Sequence, residues 1–213
     1  NEYGLIPVFE TNDAGEESIV DGISVLEVVD NKFVYGIANE NGLAWVARSI
    51  PDTNQATKKS ATSAPQYVVD GNTIKLLADI DLLKLDENGE AICFDPIGSY
   101  RFDQVFSGTF DGQGHTIKNI YQNGYLWKYW YGQYGSIGLF SELESATVKN
   151  LIIENFEARV EGGDIAFITG SATGDCVFEN IEIKNSRIAT FNNGCGGIIG
   201  WSGAGNYTFK NIK

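Results

Sequence analysis

Apolar residues in the second half of this chain fall into short alternating runs, and each run breaks at an asparagine. Four runs share one phrase: Thr116-Ile117-Lys118-Asn119-Ile120, Thr147-Val148-Lys149-Asn150-Leu151, Val177-Phe178-Glu179-Asn180-Ile181 and Thr208-Phe209-Lys210-Asn211-Ile212. Their asparagines stand 31, 30 and 31 positions apart. A period in that range means stacked supersecondary units, each burying its apolar face on its neighbours. The residue types are β-branched and aromatic, without a long helical pattern, which selects strands.

Aligned on the asparagine, the phrases predict one inward row of Ile117, Val148, Phe178 and Phe209. A second row holds Ile120, Leu151, Ile181 and Ile212, and Ile153 and Ile183 begin a third. Lys118, Lys149, Glu179 and Lys210 lie between and face water. Phe178 and Ile181 are three apart, yet both must point inward, so the strand has to bend between them. Asparagine tolerates such a bend, and its amide can bond the asparagine of the next coil. Asn119, Asn150, Asn180 and Asn211 are therefore expected to form one ladder, and Asn155 and Asn185 a second corner.

A further strand recurs out of phase, as Ser136-Ile137-Gly138-Leu139-Phe140, Asp164-Ile165-Ala166-Phe167-Ile168 and Gly196-Gly197-Ile198-Ile199-Gly200. Several strands per coil of about thirty residues predict an all-β chain, a right-handed parallel β-helix. Residues 66–213 form the helix of coils and residues 1–65 its N-terminal region. There Lys32–Ile37 alternates like a strand, and 41–50 reads as a short helix with Leu43, Val46, Ala47 and Ile50 on one face. Asn41 is its expected N-cap and Pro51 its end. A solenoid needs its core end closed, so this helix is assigned as the cap. Residues 52–65 read as a mobile loop, and 1–31 fit no assigned element. The chain ends at Lys213 within a repeat phrase, which reads as a trimmed chain with further coils or a cap beyond.

The segments Phe110-Asp111-Gly112-Gln113-Gly114-His115-Thr116-Ile117, Gly138-Leu139-Phe140 and Gly196-Gly197-Ile198-Ile199-Gly200 resemble the GLUG-type repeats. So do the lead-ins Leu76–Leu82 and Pro96-Ile97-Gly98. GLUG proteins are bacterial cell-surface proteins, common in gut Bacteroidetes, and the repeat also accompanies streptococcal IgA-cleaving metallopeptidases. The resemblance covers about residues 33–213. It implies a cell-surface adhesin that is extracellular or on the bacterial surface. The middle coil departs from it, with Ala166-Phe167 in place of the Gly pair, and the chain carries no His-Glu-x-x-His zinc motif.

Composition narrows the partners. The chain holds 28 Asp+Glu against 15 Lys+Arg, which disfavours nucleic acid, since phosphate contacts need a basic face. No apolar run reaches membrane-spanning length, so no membrane insertion is expected of this segment. The three cysteines, Cys93, Cys176 and Cys195, lack a C-x-x-C spacing. At most one disulfide could form among them; the leading reading is buried free thiols, Cys176 above all.

One segment exceeds what the repeat requires. Residues 121–134 hold Tyr121, Tyr125, Trp127, Tyr129, Trp130, Tyr131 and Tyr134. If extended, Tyr125, Trp127, Tyr129 and Tyr131 share a face, and such platforms bind the apolar faces of sugar rings. The alternative is that the rings cover the coil or the cap. The candidate ligand-binding residues are Tyr125, Trp127, Tyr129, Trp130, Tyr131 and Trp201, and the expected partner is a glycan or glycosylated surface. No catalytic or metal residue and no cofactor is expected. Asp79 and Asp81 share a strand face and either satisfy backbone groups or bind calcium weakly. Asp111 reads as turn chemistry, and His115, the one histidine, as a turn hydrogen bond. The leading expectation is a non-catalytic binding domain. A polysaccharide lyase or hydrolase and a structural spacer are the alternatives.

Overall fold

A computed structural model of the chain describes residues 6–12, 14–48, 71–98, 105–123, 136–160, 162–191 and 194–213. The chain is mostly β, with parallel sheets and one helix among the described residues.

Residues 1–31, unplaced from sequence, supply the first two strands. β1 (Ile6–Thr11) pairs antiparallel with β2 (Glu17–Val29), and β2 pairs antiparallel with β3 (Lys32–Ile37). The β2–β3 turn has two central residues, Asp30 and Asn31, both left-handed at φ 50° and 61°. That is the type I′ geometry whose twist suits a hairpin, and Asp and Asn tolerate it. The helix α1 (Glu40–Arg48) follows and buries Leu43, Trp45 and Val46. Its N-cap is Asn39 and not Asn41: Asn39 Oδ1 accepts from the Asn41 and Gly42 amides at 3.0 and 3.2 Å. The Asn39 and Asn41 side chains both donate to Asp21, at 2.9 and 3.1 Å. Gly42 permits the close seat on β2, since a Cβ there would lie 2.1 Å from the Gly22 carbonyl oxygen. Ile50, expected on the same face, lies outside the described residues.

The parallel strands follow as β4 (Thr73–Leu76), β5 (Ile80–Asp81), β6 (Thr109–Asp111), β7 (Thr116–Lys118) and β8 (Tyr121–Asn123). Next come β9 (Phe140–Glu144), β10 (Thr147–Glu154), β11 (Glu157–Val160) and β12 (Ile165–Ala166). Then come β13 (Thr169–Thr173), β14 (Cys176–Lys184), β15 (Arg187–Thr190), β16 (Cys195–Gly196), β17 (Ile199–Ser202) and β18 (Tyr207–Ile212). Each strand pairs in parallel with its counterpart one period later. The sheets run β6–β10–β14–β18, β8–β11–β15, β9–β13–β17 and β12–β16. β3 and β4 join the first sheet in parallel, so that among the described residues it runs from β1 to β18.

The inward rows form, with one correction. Phe110, Val148, Phe178 and Phe209 are in register, preceded by Tyr35 and Ile74. Leu151, Ile181 and Ile212 form the second row. Ile117 belongs to the third, with Ile80, Ile153 and Ile183. Ile120, next to the Tyr121–Glu157 pair, falls opposite Phe156 and not Leu151. The cause is a longer bend in the first coil. Four residues, Gly112 to His115, join the Asp111–Lys149 and Thr116–Ile152 pairs where Asn150 and Leu151 suffice in the next coil. The phrase Thr116–Ile120 therefore lies after the bend, and its three likenesses lie across it.

The same shift re-sorts the asparagines into two ladders. In the first, Asn211 donates to Asn180 at 2.8 Å, Asn180 to Asn150 at 2.9 Å, and Asn150 to Asp111 at 2.9 Å. In the second, Asn155 donates to Asn119 at 3.1 Å and Asn119 to Asp81 at 2.7 Å. Asn185 turns to Glu154 instead, at 3.5 Å. All six asparagines are left-handed, with φ between 49° and 60°. A left-handed residue in mid-strand lets side chains three apart both face inward, and Asn adopts that conformation at low cost.

Charges alternate in sign along the outer rows. Lys75, Asp111, Lys149, Glu179 and Lys210 are in register, as are Asp81, Lys118, Glu154 and Lys184. Ion pairs form between Lys149 and Asp111 (3.4 Å), Lys118 and Asp81 (3.3 Å), and Lys210 and Glu179 (2.6 Å). Exposed pairs contribute only about 0–1 kcal/mol each. Their main effect is to penalise a slipped register, which would set like charges together.

Candidate functional site

Gln122 lies at the base of the aromatic-rich segment. On β8 it is in register with Ala158 and then Ile188, so a glutamine stands where the neighbouring strands put apolar side chains. It is fully buried. Its Nε2 donates to the Gly138 carbonyl at 2.9 Å and to that of Phe94 at 3.4 Å. Gly138 lies beyond the far end of the segment, so one side chain joins the stem that leaves at Asn123 to the stem that returns at Ser136. Within the returning stem, Ser141 Oγ donates to the Ser136 carbonyl at 3.0 Å. A buried amide costs free energy unless bonded, so the Gln122–Gly138 bond holds the two stems together. The Oε1 of Gln122 has no partner among the described residues.

The register also resizes the segment. Asn119 aligns with Asn155 and Asn185, and Gly138 with Ala166 and Gly196. Nineteen positions separate Asn119 from Gly138, against eleven for Asn155–Ala166 and for Asn185–Gly196. The first of these coils thus carries eight extra residues. An alignment on Asn150 and Asn180 conceals most of them.

Tyr125, Trp127, Tyr129, Trp130 and Tyr131 lie outside the described residues. Trp201 is described. It is on β17, 50% exposed, in register with Ser171 and Glu142. β9, into which the segment returns, is two strands away, roughly 10 Å at ordinary strand spacing.

The carboxylates singled out from sequence are taken up by the next coil. Asp79 accepts from the Thr116 amide at 2.9 Å and pairs with His115 Nδ1 at 3.2 Å. The Thr116 bond first, then His115, holds its carboxyl below the usual carboxylate range. Asp81 accepts from Asn119 and from the Leu83 amide at 3.0 Å, and Asn119 is the main cause of its lowered pKa. Asp111 is 5% exposed. Burial pushes its carboxyl up, but bonds from Asn150 and Gln113 and the Lys149 charge outweigh this and leave it lowered. The expectation that Asp79 satisfies a backbone group fits this geometry; the His115 side chain, expected to bond within its turn, bonds Asp79 instead, 36 positions earlier. Cys176 is buried beside the Thr173 carbonyl, Cys93 is half-buried and Cys195 exposed, all three free.

The first ladder also lines an open groove of about 970 Å³, with Gln113, Asn150, Asn180, Asn211, Glu182 and Lys213 among its walls. Each ladder amide spends one donor and at most one lone pair on its neighbours and keeps the rest for a ligand or water. The sequence announced the asparagines but not the groove. Gln122 could have been found as the one polar residue in an inward row, had that row been aligned correctly.

No helix among the described residues is long and apolar enough to cross a membrane. No family model matches the chain, and no solved structure matches it. The chain is similar to one curated protein, Halomucin of Haloquadratum walsbyi (strain DSM 16790 / HBSQ001), with 34% identity over 136 residues. The match takes in 61% of this chain but 1% of that protein's length.

Proposed function

We propose that the chain is a non-catalytic, surface-associated binding domain whose coils wind as a right-handed parallel β-helix and present the 124–135 segment to a glycan. The observation that carries this reading is the stem: eight residues beyond the repeat, rich in Tyr and Trp, leave and return through a junction held by buried Gln122. A fixed stem lowers the ordering cost of binding, and Tyr and Trp add contact area with few rotatable bonds. The likeness to Halomucin supports an extracellular or cell-surface setting, and the resemblance to GLUG-type adhesins points the same way.

Catalysis is the weaker reading because Asp81 and Asp111 are bound to ladder asparagines and Asp79 to the Thr116 amide and His115. A lyase or hydrolase needs carboxylates free to meet a substrate or a cation. The spacer reading draws on the ladders themselves, which give a regular body with no need of a ligand. The test is a glycan array with the native chain beside a Trp127→Ala/Trp130→Ala variant and a Trp201→Ala variant. Loss of signal in the folded double variant supports the segment as the site, and loss only in Trp201→Ala moves the site to β17. No binding at all leaves the spacer, and new reducing ends or unsaturated products establish an enzyme.

A further inference from the structure

Asn180 spends half of its side-chain hydrogen-bonding capacity on the ladder. It donates to Asn150 and accepts from Asn211, and makes no other side-chain bond among the described residues. In a file of stacked primary amides, the N–H directed away from the C=O makes each rung. The other N–H and the oxygen's second lone pair are left side by side on the amide's outer edge. Each rung therefore offers one donor and one acceptor at a fixed spacing. At Asn150 and Asn180 these edges line the open groove.

The groove has walls as well as a floor. Gln113 and Gly114, from the wide bend of the first coil, bound it at the Asn150 end, where the Gly114 amide donates to the Asn150 carbonyl at 2.8 Å. Ile152 and Glu182, successive members of one outward row, form a side. Ile152 is half-buried and sets an apolar surface beside the polar edges. These residues all precede β18, so the site does not depend on the last strand. The groove follows the β6–β10–β14–β18 sheet, whereas the 124–135 segment leaves from β8 in another sheet.

Spacing and charge select the occupant. The rungs repeat at the strand spacing, ~4.8 Å. An extended polypeptide laid along them repeats its same-side groups every ~6.7 Å and falls out of step by the second rung. An extended chain of pyranose rings advances by close to one strand spacing per ring, and two adjacent hydroxyls on a ring supply the matching acceptor and donor. The Glu182 charge is offset by Lys184 at 3.5 Å, so the wall has little field of its own, and the net charge of −13 disfavours an acidic chain.

We propose that the first ladder is a second binding site, independent of the aromatic segment, for a neutral extended polysaccharide. Successive rings lay adjacent hydroxyls against the outer edges of Asn150 and Asn180 and C–H surface against Ile152. The amides are already held in place by their own rungs, so little ordering cost falls on the protein.

The test is nuclear magnetic resonance of the isotope-labelled 213-residue chain, following the side-chain amides. The probes are cellohexaose, mannohexaose and maltohexaose, with hexagalacturonate as the acidic control. The Asn150 and Asn180 amide signals should shift with a neutral hexamer and not with hexagalacturonate. Asn180→Gly, which keeps the backbone freedom, should weaken binding about tenfold, the loss of one or two hydrogen bonds. Ile152→Lys leaves the ladder untouched and lays a long side chain along the groove, and should weaken binding as much. Circular dichroism establishes that both variants are folded. Trp127→Ala/Trp130→Ala should bind as the native chain does. No ladder shift with any neutral hexamer overturns the proposal, and so does a shift with hexagalacturonate alone. Binding that leaves the ladder amides unmoved and is lost in Trp127→Ala/Trp130→Ala overturns this site and leaves the aromatic segment standing. Ladder shifts that persist in that double variant support a site of its own, whether or not the segment binds.

Discussion

Asn150 donates its side-chain amide to the Asp111 carboxylate at 2.9 Å, so the first asparagine ladder ends on an acid and not on Asn119. The same carboxylate oxygen accepts from the Gln113 amide at 3.0 Å, and Lys149 lies 3.4 Å from the other oxygen. One nearly buried side chain thus holds the wide bend of its own coil and the narrow bend of the next. Asp111→Ala should destabilise the fold by about 1–3 kcal/mol, because it strips a charged acceptor from the part-buried bonds of Asn150 and Gln113. Asp111→Asn, which keeps an acceptor, should cost less. Urea denaturation of both variants measures the difference.

Asn180 serves the ladder in two ways, and two substitutions separate them. Its backbone is left-handed at φ 54°, and its amide bonds Asn150 and Asn211. Asn180→Gly keeps the backbone freedom and loses the amide. Asn180→Ala loses both and should be less stable than the glycine variant by about 1 kcal/mol, the cost of a Cβ in that conformation. Equal stabilities would mean that the backbone is not held there.

Position along the row decides the cost of a buried charge. Ile181 is 1% exposed and flanked in register by Leu151 and Ile212. Ile181→Asp should unfold the coils, since an unpaired carboxylate in that row costs several kcal/mol. Phe209→Asp, at a half-exposed place in the first row, should leave a folded chain. Circular dichroism and thermal melts distinguish the two.

Acid should loosen the first coils. Asp79, Asp81 and Asp111 all have carboxyl pKa values lowered by bonds made only in the folded chain. A depressed carboxylate contributes stability that is complete above its unfolded value, about 3.9. That stability is lost as pH falls through the lower folded value. Stability should therefore drop below about pH 4, and Asp79→Asn/Asp81→Asn should flatten the drop. Chemical denaturation between pH 2 and 7 reads the slope.

The thiols should react in order of exposure. Cys195 is exposed, whereas burial pushes the thiols of Cys93 and Cys176 up and so lowers their thiolate fraction. One equivalent of a thiol reagent should be consumed quickly in the native chain and three after unfolding. Rapid modification of Cys176 would contradict its burial at the start of β14.

Much of the body was legible because its signals are periodic. Phe178, Ile181 and Ile183 alternate about a bend that only Asn or Gly adopts cheaply, and the same arrangement returns after thirty residues. The Asn119 assignment failed because the phrase Thr-Ile-Lys-Asn-Ile looks alike before and after the bend. Two extra residues between Asp111 and Thr116 move it by half a strand, and a likeness of five letters does not register them. The hairpin of residues 6–29 was missed because its acidic turns and register shifts blur the alternation. Gln122 was missed for the same reason as Asn119: its exception shows only against Ala158 and Ile188, once the rows are set correctly.

An ionised carboxylate has oxygens but no proton to give, so Asp111 can meet only a donor. That forces the NH₂ of Asn150 toward it, leaves the Asn150 oxygen facing the next level, and so orients Asn180 and then Asn211. A symmetric-looking file of amides, each able to turn either way, is given one sense by its terminus. Reversing any single amide would set oxygen against oxygen on one side and hydrogen against hydrogen on the other. The choice made at one residue is therefore inherited level by level, without further instruction from the sequence.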